Sequence, residues 1–67
     1  MEKQRDRTWQ EEFMKDVVQT GKSVTVFLIN GFQMHGTIHG YDDEVIILET
    51  ATIPRCMIYK HAISTIT

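Results

Sequence analysis

The residues of this chain that could do chemistry are few and scattered. The single cysteine, Cys56, has no base beside it in sequence and reads as a small strand residue, not a nucleophile. The three histidines are His35, His39 and His61. His35 and His39 stand at i and i+4, a ligand spacing on a helix, but they fall in a segment patterned as a strand. No Cys/His spacing fits a structural zinc site. No nucleophile–base pair and no metal set can be assembled, so no catalytic residue, metal or cofactor is expected and an enzyme is a distant reading. Lys60-His61 stands between two apolar runs, and alone it reads as a polar turn. Asp42 opens the acidic run Asp42-Asp43-Glu44 and reads as a structural residue whose carboxylate accepts backbone hydrogen bonds in a turn. Residues 24–29 are almost uniformly apolar around Phe27. Side chains alternate between the faces of a strand, so one apolar face must meet something other than the chain's own core. A base-stacking platform and a subunit contact are both open.

These residues must be positioned by a short chain. Its 67 residues are 42% apolar and 24% charged, with a formal net charge of −2. That composition excludes a disordered chain and fits one domain. At about 60 residues a chain buries only roughly 60% of its unfolded surface, so something must supplement the core. With disulfides and zinc set aside, oligomerisation remains. No apolar run approaches a membrane helix and the first residues lack a signal peptide's apolar core, so a cytoplasmic protein with no membrane partner is expected. The charge is segregated. Residues 23–40 carry no Asp, Glu, Lys or Arg, residues 41–50 carry a net −4, and residues 51–67 carry a net +2. There is no general basic excess of the kind that announces nucleic-acid binding.

Residues 1–7 read as a flexible lead and 8–67 as the domain, with a helix at 8–20 and five strands within 23–67. Trp9, Phe13 and Val17, with Met14 and Val18 alongside, predict one apolar helical stripe. Thr8-Trp9-Gln10-Glu11 fits a capping box, and Gly21 is placed to end the helix. Val24–Ile29 predicts a strand, Asn30-Gly31 a type I′ hairpin turn, and Phe32 to about His39 the returning strand. Gly36 and Gly40 within it mark a bulge, a bend or a close approach. A turn at 41–44, a strand at 45–49, a loop at 50–55 and short strands at 56–59 and 62–66 complete the chain. The expected fold is mainly β with one N-terminal helix. Its five-stranded, strongly bent open barrel would be capped by Trp9, Phe13 and Val17, and its last strands would be unpaired edges able to close a ring.

Val24-Thr25-Val26-Phe27-Leu28-Ile29-Asn30-Gly31-Phe32-Gln33, Gly36, Gly40-Tyr41-Asp42 and Tyr59-Lys60-His61-Ala62-Ile63-Ser64-Thr65 closely resemble Hfq, the bacterial Sm-like RNA chaperone family. The resemblance runs from about Gln10 to Thr65. It implies a homohexameric ring of Sm-like barrels without enzymatic activity, binding single-stranded RNA (small RNAs and mRNAs) on two faces. The distal face, which takes adenine- or purine-rich strands, would be built here by Phe27, Leu28, Gly31, Phe32, Gln33 and Met34, with Phe27 stacking on a base. The proximal pore, which takes uridine-rich 3′ ends, would be built by Gln10, Tyr59, Lys60 and His61. For Glu11, capping is the better reading. DNA stays open as a second ligand.

The sequence departs from the family at functional positions. Asp43 and Glu44 stand where the family commonly has Gln and Phe, which removes a stacking ring and sets two carboxylates per subunit near Lys60. Weakened uridine binding is the expectation. The stretch Val18-Gln19-Thr20-Gly21 carries no basic rim cluster, the loop 51–55 is about two residues longer than usual, and no tail follows Thr67, so rim- and tail-dependent activities are not expected. The competing class is an Sm-fold ring serving as a protein-interaction scaffold with little RNA binding.

Overall fold

The computed structural model describes residues 9–67, so the Thr8 end of the capping box and the 1–7 segment lie outside the described residues. The helix α1 spans Trp9–Thr20. It ends where Gly21 takes φ +67° and its N–H donates to the Val17 carbonyl at 3.1 Å, a left-handed cap that a side chain would resist. Met14 and Val17 are buried and Val18 is half-buried against the sheet. Trp9 and Phe13 do not join them, being 91% and 43% exposed. This corrects the single stripe expected from the sequence. At 3.6 residues per turn, Phe13 lies about 100° and Trp9 about 140° round the axis from Met14, and the core needs only the narrower Met14/Val17/Val18 face.

Five strands follow: β1 (Ser23–Leu28), β2 (Gln33–Tyr41), β3 (Val45–Thr50), β4 (Cys56–Tyr59) and β5 (Ile63–Ile66), with a 3₁₀ turn at Lys60–Ala62 joining the last two. They form one sheet in the order β4-β3-β2-β1-β5, antiparallel throughout. Each interior strand sends alternate residues inward. Val24 and Val26, Ile38, Ile46 and Leu48, and Ile58 close over Met14 and Val17 as the core. The sheet bends but does not close, so β4 and β5 are its two edges.

The β1–β2 turn differs from the type I′ expected for Asn-Gly. No residue other than glycine has positive φ among the described residues, so Asn30 cannot supply the first left-handed position. Instead the Gly31 N–H donates to the Leu28 carbonyl at 2.9 Å and the Leu28 N–H donates to the Phe32 carbonyl at 2.8 Å. Gly31 alone carries positive φ, at 98°, while the Asn30 Oδ1 accepts the Phe32 N–H at 3.0 Å. This is a three-residue loop with glycine at its bulge, the commonest alternative to the two-residue turn.

β2 runs through Tyr41, two residues beyond the expected end. The register slips between Ile38 and Gly40, leaving His39 as an extra residue that bends the strand. At Gly36 a Cβ would lie 2.0 Å from the Glu49 carbonyl oxygen, so only glycine lets β3 approach there.

Candidate nucleic-acid interface

The junction between β4 and β5 gathers four of the polar positions picked out in the sequence. The Lys60 N–H donates to the Glu44 carbonyl at 2.7 Å, which pins the 3₁₀ turn to the 42–44 turn. The Tyr59 and His61 rings stack at 5.5 Å between centroids and 17° between planes, on either side of Lys60. The Lys60 Nζ lies 5.4 Å from the centre of the Tyr41 ring, within cation–π range. Gln10, at the start of α1, meets this group: with Tyr41, Asp42, Asp43, Glu44 and Lys60 it lines a cavity of about 810 Å³. A second recess of about 510 Å³ brings Gln10, Asp43 and Glu44 together with Tyr59, Lys60 and His61. The structure therefore brings Gln10, Tyr59, Lys60 and His61 together, and it places both acids of the departure among them.

Asp42 is set apart from its two acidic neighbours by its bonding. Its Oδ1 accepts the Glu44 N–H at 2.8 Å and the Val45 N–H at 2.9 Å. Those two donors hold its carboxyl below the ordinary carboxylate value; slight desolvation opposes them and the nearby Lys60 charge assists. Asp42 is thus spent on the turn, whereas Asp43 and Glu44 are exposed.

A second surface lies on the outer face of the sheet. Phe27 is half-buried, directly opposite Gln33 on β2 and Thr65 on β5. Beside it the hairpin presents Phe32, 68% exposed, next to Gly31. Leu28 and Met34 are placed differently. Both are half-buried and pack against the core, on the opposite side of their strands from Phe27 and Gln33. Two register pairs along from Phe27, on the same face, the Thr25 Oγ1 and His35 Nδ1 are hydrogen-bonded at 3.0 Å. Sequence reading did not assign His35 to this face; its cross-strand register with Thr25 follows from hairpin length, which the type I′ expectation had wrong. His39, the bulged residue, pairs with Glu49. Among the described residues no three His, Cys, Asp or Glu side chains converge as metal ligands.

A helix laid on a bent, unclosed, five-stranded antiparallel sheet, with β4 and β5 left as edges, is the Sm-like class of small β-barrel. Comparison with known proteins narrows this. The family model described as "Hfq protein" matches residues 9–67, and the chain belongs to that family. It is 47% identical over 57 residues to the RNA-binding protein Hfq of Caldanaerobacter subterraneus subsp. tengcongensis, covering 85% of this chain and 66% of that one. It is 49% identical over 57 residues to the RNA-binding protein Hfq of Carboxydothermus hydrogenoformans, with the same coverage of 85% and 66%. The chain thus spans about two thirds of the length of these relatives. Among solved structures it is similar, at a TM-score of 0.85 and 42% identity, to a crystal structure described as the pleiotropic translational regulator Hfq. That match covers 90% of this chain and 98% of the other. The family is one of RNA-binding proteins, not enzymes.

Proposed function

We propose that this chain is an RNA-binding post-transcriptional regulator that works as a homohexameric ring in the cytoplasm. It takes adenine- or purine-rich single strands, from small RNAs and mRNAs, on the Phe27 face. The observation that carries this reading is Phe27 itself: an aromatic ring held half-open on the outer sheet face, with Gln33 and Thr65 opposite it and Phe32 exposed on the adjoining hairpin. Single-strand recognition uses that combination of a ring for stacking and amide or hydroxyl groups for base edges, and it does not need an overall basic protein. Ring closure supplies what the two edges β4 and β5 and the small core both call for.

The proximal group is read as a weakened uridine site. Lys60 and Gln10 suit RNA, but Asp43 and Glu44 line the same recesses and repel phosphate. The same two carboxylates are the one observation that favours a protein scaffold over an RNA binder. Fluorescence anisotropy with labelled A-rich and U-rich RNA oligomers at near-physiological salt tests the proposal. Tight A-rich and weak U-rich binding is expected. Equal or tighter U-rich binding would contradict the proximal reading, and no binding of either strand would favour the scaffold. An excess of unlabelled DNA of the same sequence measures whether DNA competes.

A further inference from the structure

Trp9 is the most exposed large apolar side chain of the described residues, at 91%. It stands at a groove of about 390 Å³ between α1 and β5, walled by Phe13, Ile63 and Ile66, with Gln10 and Lys60 also lining it. No residue lining this groove carries a carboxylate. Lys60 also borders the cavity that holds Asp43 and Glu44. A phosphate drawn to Lys60 is therefore repelled on one side and unopposed on the other.

We propose that Trp9 is a stacking platform for a nucleobase of single-stranded RNA, with Lys60 meeting the adjoining phosphate. This rests on the RNA-binding reading above and adds a stacking residue to its proximal group. The indole is the largest aromatic face a side chain offers, and every base has a π-face to lay on it, so the site is tolerant of base identity. It supplies, from the helix, the aromatic surface that Glu44 does not supply from the 42–44 turn.

Trp9 is the only tryptophan in the chain, so indole emission reports this position alone. The chain and its Phe27→Ala variant are titrated with short oligouridine and oligoadenine, reading Trp9 emission and anisotropy together. Saturable quenching of Trp9 is expected in both proteins, shifted to higher RNA concentration by Lys60→Ala. In the Phe27→Ala background, Trp9→Ala is expected to lose about tenfold in affinity, and Trp9→Tyr to recover most of it. RNA binding seen by anisotropy with unchanged Trp9 emission, or with full affinity in Trp9→Ala, overturns the platform while leaving the Phe27 face standing. Blue-shifted emission in the free protein that RNA does not alter also overturns it, because the indole would then be buried between copies. Absence of any RNA binding overturns both readings.

Discussion

At the scale of single residues, three carboxylates adjacent in sequence do different work because only one is bonded by the backbone. Asp42 accepts two N–H groups, and its folded-state pKa lies below the ordinary value. The stability it contributes is full above the ordinary carboxylate pKa of about 3.9 and is lost as pH falls through the depressed folded value. Asp42→Asn should therefore lower the thermal midpoint at neutral pH, and the gap from wild type should narrow under strongly acidic conditions. A gap independent of pH would show that the carboxylate charge is not what holds the turn. In the proposed function Asp43 and Glu44 act on the ligand instead. Replacing them as Asp43→Gln with Glu44→Phe is expected to raise affinity for U-rich RNA by tenfold or more, since one stacked base is worth about 1–3 kcal/mol. Anisotropy measures this directly, and no gain would show that the acids do not face the bound strand. Asp42 was legible as a turn residue from its type and place. The place of Asp43 and Glu44 beside Lys60 was legible only through the family resemblance, because it depends on where Gln10 and Lys60 arrive from distant elements.

At the scale of elements, most boundaries were legible because period and turn chemistry agree. β4 begins and ends where the apolar run does, and Gly21 closes α1 as its type and position required. The misplaced helical stripe has a plain physical cause. Apolar periodicity says which residues are apolar, not which of them the core has room for. So Trp9 and Phe13 were grouped with Val17, although the sheet accepts only Met14, Val17 and Val18. Met14→Ala should cost about 2–5 kcal/mol of stability, whereas Trp9→Ala should stay within about 0.5 kcal/mol of wild type. Denaturant unfolding of the two variants separates the cases, and a large loss in Trp9→Ala would contradict the exposed placement. The long bent β2 has its own weak point at Gly36. Gly36→Ala puts a methyl group 2.0 Å from the Glu49 carbonyl oxygen, so β2 and β3 must part. The variant should be severely destabilised or fail to assemble, and circular dichroism melting would detect this.

At the scale of the whole molecule, a small acidic chain can bind RNA if it multiplies a few well-placed groups around a ring. The open edges β4 and β5 are what the chain offers for ring closure, and Tyr59, Lys60 and His61 lie at the junction between those edges. A hexamer would sediment at about six times the 7.8 kDa of one chain. The overall architecture was readable in advance because one helix, glycine-marked strands and the closing heptad all point to the same fold. The division of labour proposed for the two surfaces was less readable, since it depends on cross-strand register and on the helix's rotation about its axis. The central claim is that Phe27 is the stacking surface for A-rich RNA. Its most direct test is the affinity of wild type and Phe27→Ala for one labelled A-rich oligomer, at one salt concentration, with sedimentation showing both proteins in the same assembly. The account predicts a loss of at least tenfold in Phe27→Ala with the ring intact. Equal affinity in an intact ring would contradict it.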